Sequence, residues 1–389
     1  MPMMILTDKL YKYLDEGKSA IVVLLDFSKA FDTVNHSILI EKLFHYGIRG
    51  NALQWLKSYL CNRSQFVVYN GYQSSVKIID TGVPQGYILG PLLFLIYIND
   101  LINVCKYSTP LLFADDTNLF FAETNINVLT ANINEELQCV STWLKVNKLS
   151  LNVNKTQYMY FTSKRKYQTE LINIAIDSVK INETKQSKFL GVVIDNKLTW
   201  KAHISYISNK VSRGIGILLK AKYILNSECL KNLYYAFIYP YLIYCNHIWG
   251  NTYVSSLKRL IILQKKAVRI ITFSNFYHPS APLFDTLKLF SLEKINMYVI
   301  ACFMFRYHHG IIPSIFDDFF VFNRYVHNYD TRLLNSLHIP KVTSNRSKFG
   351  IRFHGVKIWN SVLASQININ VEELTFKYSL KSFLLSSNL

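Results

Sequence analysis

The 389-residue sequence predicts an α+β fold, an antiparallel sheet backed by helices and followed by a mostly helical region, and three observations carry that prediction. In the run from Ala20 to Asp26 every residue between the two ends is β-branched or leucine, the mark of a strand buried on both faces. Two apolar hairpins follow, one turning at Asn70-Gly71 and one at Asp115-Asp116. From about Lys201 to Tyr307, nearly every apolar position recurs at helical spacing.

In chain order, Leu6, Leu10, Tyr13 and Leu14 share a helical face ahead of Gly17, which predicts a packed helix and not a leader. The Ala20–Asp26 strand leads into helical patterns over 37–46 and 51–60. Gln65–Tyr69 and Ser75–Ile79 read as a strand pair, and Thr81–Gly86 as a Gly/Pro turn opening an apolar helix from Ile88 to about Leu101. Leu111–Ala114 and Asn118–Phe121 flank the acidic tip. An amphipathic helix over 127–146 carries Leu129, Ile133, Leu137, Val140 and Leu144 on one face. Strands are expected over 157–161, 172–181 and 189–200, helices to about 307, and an irregular tail beyond. The implied organisation is residues 1–200, 201–310 and 311–389.

Composition narrows the function. The formal charge is +18, and between Glu183 and Thr272 14 Lys and Arg face 3 Asp and Glu, an excess of 11 in one stretch. Cations so concentrated suit a polyanion, because phosphate neutralisation releases condensed counterions. The six cysteines (61, 105, 139, 229, 245, 302) include no C-x-x-C pair and no zinc-like spacing, so they read as reduced core residues of an intracellular protein, nuclear or cytoplasmic. The uncharged stretch 232–257 contains Pro240, Asn246, His247 and Asn251, whereas a membrane span wants ~20 predominantly apolar residues, so no membrane association is expected. Oligomeric state is not legible.

The chemistry gathers at acidic strand ends. Asp26 closes a buried strand, where a carboxylate is costly without a cation or donor; an ion pair with Lys29 is the structural alternative. Asp115 and Asp116 repel each other at a turn that would favour Asn-Gly or Asp-Gly. Carboxylates from two strand ends can hold two hard cations ~3.5–4 Å apart, the arrangement used in phosphoryl transfer.

At this point a family resemblance becomes visible. LLDFSKAFDTVNH (24–36) resembles motif A of reverse transcriptases, GVPQGYILGPLLF (82–94) motif B, and FADDTNLF (113–120) motif C, in the right order. LSLNVNKTQYMYF (149–161) resembles motif D, and KFLGVVIDNKLTWKAHI (188–204) the primer-grip hairpin of non-LTR (LINE-type, jockey- or CR1-like) retrotransposons. Similarity continues through LQKKAVRIIT (263–272) and FHGVKIWNSVL (353–363). The resemblance implies a right-hand polymerase palm, then a helical thumb, performing RNA-directed DNA synthesis from an RNA template and a DNA primer with deoxynucleoside triphosphates. The implied cofactor is two Mg²⁺ ions, with Mn²⁺ as a substitute.

Residue by residue, it implies Asp26 and Asp115 as metal ligands, with Asp116 supporting and the Phe27 carbonyl lending an oxygen. Phe31 resembles the aromatic steric gate against a ribose 2′-hydroxyl, its alternative being core packing. Pro84, Gln85 and Gly86 resemble the motif B segment along the nucleotide, and Tyr87 stands where the family usually has a small residue. Lys155 resembles the motif D lysine near the leaving pyrophosphate, against the alternative of a solvated lysine. Phe189, Leu190 and Gly191 would form the primer grip. Lys210, Arg213, Lys220 and Lys222, and a second set of Lys265, Lys266 and Arg269 with Lys258 and Arg259, would follow the template-primer backbone.

Motif A begins so near Met1 that the family's fingers have no counterpart ahead of it, which implies a piece truncated from a longer polyprotein. Two other readings stay open: a catalytically dead remnant that only binds nucleic acid, which Tyr87 and the missing fingers favour, and an RNA-dependent RNA polymerase palm, which Phe31 and the Ala-Asp-Asp motif disfavour.

Overall fold

The computed structural model describes residues 1–163, 172–326, 336–365 and 367–386. The chain divides into two compact units, residues 16–185 on the one hand, and residues 3–15 together with 186–389 on the other.

The first unit is built on β1 (Ser19–Leu25), the middle strand of a five-stranded sheet. On one side β1 pairs with β7 (Asp116–Glu123), which pairs with β6 (Thr109–Phe113). On the other it pairs with β8 (Gln157–Phe161), which pairs with β11 (Asn182–Glu183). Only the last pair is parallel. Ile21, Val23 and Leu25 alternate into one core with Leu119, Phe121, Tyr158 and Tyr160. Four helices supply most of the rest of that core: α2 (His36–His45), α3 (Gly50–Leu60), α4 (Leu89–Ile98) and α5 (Ile126–Val146). Each fully buried aliphatic side chain here stabilises by ~1.5–3 kcal/mol, and Val23→Asp would replace one such gain with an unpaired buried charge. Asn35 and Asn125 start α2 and α5 by accepting from Ile38 N at 3.2 Å and Asn127 N at 2.9 Å. This is the palm architecture that the sequence predicts.

The hairpin after α3 departs from the predicted continuous pair. It consists of β2 (Arg63–Gln65) with β5 (Lys77–Ile79), then β3 (Val68–Tyr69) with β4 (Tyr72–Gln73). Ser74 Oγ interrupts the ladder by accepting from Val67 N at 2.9 Å. The predicted 172–181 strand is likewise broken, into β9 (Ala175–Ile176) and β10 (Val179–Lys180), because Asp177 and Ser178 reverse the chain at positive φ.

The second unit holds β12 (Gln186–Phe189), β13 (Val192–Asp195), and the long helices α6 (Lys201–Ala221), α7 (Ser227–Phe237), α10 (Val254–Ile271) and α12 (Leu292–His308). Short helices α8 (Tyr239–Ile243), α9 (Asn246–Trp249) and α11 (Ala281–Leu287) connect them. Three sequence expectations are corrected. The division falls at 185/186, not at 200, since the Asp195 carboxylate caps the start of α6 by accepting from Thr199 N (3.0 Å) and Trp200 N (2.8 Å). Helix α1 (Pro2–Asp15) belongs with this second unit: Trp200 Nε1 donates to Tyr11 Oη at 3.2 Å, Arg352 Nε to Asp8 at 2.8 Å, and Thr343 N to Asp15 at 2.9 Å. The tail is not irregular, because α13 (Val356–Ala364) and α14 (Glu373–Ser386) both pack on α12, with Phe376 stacked on Phe305 at 4.2 Å.

The cysteines are free; Cys139 and Cys229 are exposed, against the core expectation, while the other four are half-buried and Cys105 packs on the core of the sheet unit. Among the described residues no helix is long and apolar enough to cross a membrane.

Candidate active site

The β1/β7 ladder sets the acidic cluster. Leu25 pairs with Thr117, so Asp26 leaves β1 beside the start of β7, where Asp116 pairs with Phe113 of β6. Asp115 occupies the two-residue β6/β7 turn with Ala114, whose φ of 52° is a conformation that costs an L-residue energy. Asp115 and Asp116 are exposed and Asp26 half-buried. Burial first, and then the charges of Asp115 and Asp26, raise the Asp116 carboxyl above its ordinary value. The three carboxylates therefore feel one another, and none of them is in an ion pair among the described residues; the alternative pairing of Asp26 with Lys29 does not form. Their oxygen-only donor chemistry fits a hard divalent cation. Among the described residues no three His, Cys, Asp or Glu side chains stand close enough to form a complete ligand group.

The backbone of Asp26 is pinned from both sides. Its N–H donates to Thr156 Oγ1 (3.3 Å) and its carbonyl accepts from Asn152 N (2.8 Å), both from the motif D turn. Phe27 pairs with Leu151 in an isolated bridge whose bonds are made by the residues on either side of it, Asp26 O and Ser28 N, so the Phe27 carbonyl takes no part in them. Lys155 is exposed on the same turn, held by Asn152, which accepts its backbone N–H at 3.1 Å.

Motif B is docked onto motif A by main chain. Val83 N donates to Phe31 O (2.8 Å), Gly82 N to Val34 O (2.7 Å), and Asn35 bridges Thr81. Gly82 has φ 88°, and a Cβ there would lie 2.8 Å from Asp32 O, so no other residue fits. Gly86, at φ 83°, needs glycine for its conformation alone. The half-buried Phe31 packs on Phe94 with ring centroids 4.6 Å apart. Gln85 Nε2 donates to Asp32 Oδ1 at 2.8 Å.

These loops and the β2/β5 hairpin enclose a cleft of about 730 Å³. Pro84, Gln85 and Tyr87 line it; Phe31 and the three aspartates do not. Tyr87 is 65% exposed. Lys29, Asp32 and Arg63 also line it, and sequence reasoning singled out none of the three for the nucleotide. Lys29 and Asp32 lie inside the motif A segment and could have been weighed there; Arg63 sits in a segment without periodicity, and no signal marked it.

The other predicted residues lie in the helical unit. Leu190 (φ 47°) and Gly191 (φ 80°) form the two-residue β12/β13 turn, with Phe189 buried behind it; Tyr244 Oη donates to Leu190 O at 2.6 Å. On α6, Arg213 and Lys220 share an exposed face, Lys210 is half-buried over the Tyr206 ring at 5.7 Å, and Lys222 lies one residue past the helix. On α10, Lys265 and Lys266 are exposed, while Arg269 Nε is engaged with His278 O at 2.8 Å.

Residues 2–194 match the family described as reverse transcriptase (RNA-dependent DNA polymerase). The chain is 28% identical over 305 residues to the probable RNA-directed DNA polymerase from transposon BS of Drosophila melanogaster, covering 74% of this chain and 33% of that protein. It is 27% identical over 287 residues to the RNA-directed DNA polymerase from mobile element jockey of the same species, covering 71% and 31%. For the probable RNA-directed DNA polymerase from transposon X-element, also of Drosophila melanogaster, the identity is 28% over 282 residues, covering 70% and 31%. The chain spans about a third of the length of these curated relatives.

Proposed function

We propose, from the premise that residues 2–194 are a reverse transcriptase domain of the non-LTR retrotransposon type, that this chain supplies the palm and helical region for RNA-templated addition of deoxynucleotides to a primer 3′-hydroxyl. The observation that carries the reading is the meeting of Asp26, Asp115 and Asp116 at the β1/β7 strand ends, where burial and then the charges of Asp115 and Asp26 raise the Asp116 carboxyl. Members of the family use divalent metal ions. Here Asp26 and Asp115, with Asp116 and the Phe27 carbonyl in support, would hold two Mg²⁺ or Mn²⁺ ions, which when bound acidify the attacking hydroxyl and balance charge on the pyrophosphate.

The chain's own residues then divide the work. The motif D turn holds Asp26 through Thr156 and Asn152, and brings Lys155 within the same pinned segment, from which its ammonium would favour the departing pyrophosphate. The docked motif B loop keeps Pro84, Gln85, Gly86 and Tyr87 along the nucleotide. Lys29 and Arg63 of the same cleft are cationic groups within reach of an anionic ligand there. Phe31, backed by Phe94, is the wall against a 2′-hydroxyl. The turn at Phe189, Leu190 and Gly191 guides the primer. Lys210, Arg213, Lys220 and Lys222, with Lys265, Lys266 and Arg269, track template and primer phosphates.

Primer extension with Asp26→Asn and Asp115→Asn tests this. Each substitution should lower nucleotide addition by more than about 10³-fold and leave template-primer affinity within about twofold, since the carboxylates serve the chemical step and affinity comes from phosphate contacts. Extension retained in either variant removes the assignment. The chain should bind template-primer in a steeply salt-dependent manner. If it binds but does not extend the primer even with Tyr87→Ser, the binding-only reading replaces this one.

A further inference from the structure

A second cleft, of about 510 Å³, opens at the start of α10 in the helical unit, and no residue of the candidate active site lines it. Leu257 and Leu292 are buried in its wall beside Val254 and Ile261. The rings of Tyr253 and Phe349 meet edge to face there, centroids 4.9 Å apart at 85°. One polar lining residue is unusual. Asn251 is 7% exposed, and its Nδ2 donates to His247 O (3.1 Å) and Phe349 O (2.9 Å), yet its Oδ1 is buried and accepts from nothing. A buried acceptor left in that state is destabilising, and a ligand donor would relieve it.

The surroundings specify the ligand further. At 3.6 residues per turn, Lys258 leaves α10 about 40° from the lining residue Val254, and Lys265 about 40° from the lining residue Ile261. Both lysines are exposed and form no ion pair among the described residues. Glu293 brings an exposed carboxylate to the lining. The cleft thus combines aromatic and aliphatic walls, two acceptors, and cations on the face that borders it.

We propose that this cleft takes an unstacked nucleobase bearing an exocyclic amine, with its phosphates on Lys258 and Lys265. The inference rests on the nucleic-acid reading of the helical unit and adds to it a site that recognises bases. A purely apolar ligand would leave Asn251 Oδ1 unpaired and draw nothing from the lysines, whereas a nucleotide uses all three features. Acceptors select donors: guanine offers N1–H and N2–H on one edge, and uracil offers a single N–H, so guanine is preferred. The base comes either from a free nucleotide or from a strand that has splayed it out.

Fluorescence anisotropy of the full chain with three single-stranded RNA 8-mers separates the outcomes, one with guanines, one with uracils and one abasic, alongside calorimetric titration with GMP. The guanine strand should bind about tenfold more tightly than the abasic one, as base stacking supplies. Ile261→Trp, which fills the cleft, should reduce that ratio below about twofold without changing abasic-strand affinity. Glu293→Gln, at an exposed position, should diminish the guanine-over-uracil preference and decides the matter if the tryptophan variant does not fold. GMP binding that is lost in Ile261→Trp assigns a free nucleotide, and strand preference without GMP binding assigns a splayed base. If the abasic strand itself does not bind, the phosphate-tracking reading fails and this inference with it. If it binds and the ratios are the same in all three proteins, the cleft assignment alone is overturned.

Discussion

The sheet unit positions its candidate site with main chain, and the helical unit holds itself together with particular side chains. Around the carboxylates, the bonds that matter are Gly82 N to Val34 O, Val83 N to Phe31 O, Asn152 N to Asp26 O, and the β1/β7 ladder. In the helical unit they are Gln264 Nε2 to Tyr234 Oη (2.9 Å), Asn296 Nδ2 to Asn246 Oδ1 (2.8 Å), Trp200 to Tyr11 (3.2 Å) and Arg352 to Asp8 (2.8 Å). Backbone bonds tolerate most side chains as long as the conformation is allowed, so the active-site loops depend on a few special residues such as Gly82. Side-chain ties each need their own two partners. One unit is vulnerable to changes of conformation and the other to changes of chemistry.

After the aspartate substitutions, the largest effect is expected from Gly82→Ala, which attacks the first kind of tie. The added methyl would meet Asp32 O at 2.8 Å in a backbone at φ 88°. The motif B loop should shift, lowering extension by roughly 100-fold and stability of the sheet unit by about 2 kcal/mol. Urea unfolding alongside primer extension would check both; normal extension would show that the loop is not held by this contact.

Acid attacks the second kind. Burial holds the His203 and His247 imidazoles down to about 4, with the N-terminal ammonium adding to the effect on His247. Both Nε2 atoms are buried without a partner. A folded-state value below the unfolded one of about 6.5 means that the unfolded chain binds the proton more tightly. The stabilisation from neutral imidazole is therefore complete above pH ~6.5 and is lost as pH falls towards 4. Between pH 7 and 5 each histidine should cost the helical unit about 2 kcal/mol. Hydrogen exchange should show α6 and α9 losing protection before β1 and β7, and equal loss in both units would refute the assignment.

Two substitutions sharpen the comparison inside the sheet unit. Phe31→Val removes a ring packed at a tilt against Phe94 and should reduce discrimination of dNTP over rNTP by about tenfold. Unchanged sugar preference with lower stability would make Phe31 core packing. Tyr87→Ser should change extension by less than about twofold, because the phenol is 65% exposed and held by no loop contact of the kind that fixes Gly82. Competition extension assays report both.

The same contrast explains what was legible in the sequence. The buried strand ending at Asp26, the acidic hairpin and the Gly82 turn are patterns of period, turn chemistry and composition, each readable within a dozen residues. Glu136 was not legible: it lies on the predicted amphipathic helix, yet it is buried and accepts from Lys106 N (2.8 Å) and Ser108 N (3.0 Å), a role set by a loop about 30 residues earlier. Trp200, Asp195 and Asn251 were missed for the same reason, as their partners are fixed by tertiary structure and not by spacing. The two tail helices were missed although Phe376, Leu380 and Leu384 repeat at intervals of four, a signal the sequence did contain.

Helix α1 has a consequence for how the protein is made. Its ties reach Trp200, Thr343 and Arg352, yet the next strand, β1, belongs to the other unit. The sheet unit is thus threaded between two parts of the helical one. As the chain leaves the ribosome at ~5–20 residues per second, α1 waits roughly 20–70 s for Arg352 to emerge, with Met3, Leu6 and Leu10 uncovered. The sheet unit, contiguous in sequence, can close during that interval, before α1 has its Thr343 and Arg352 partners.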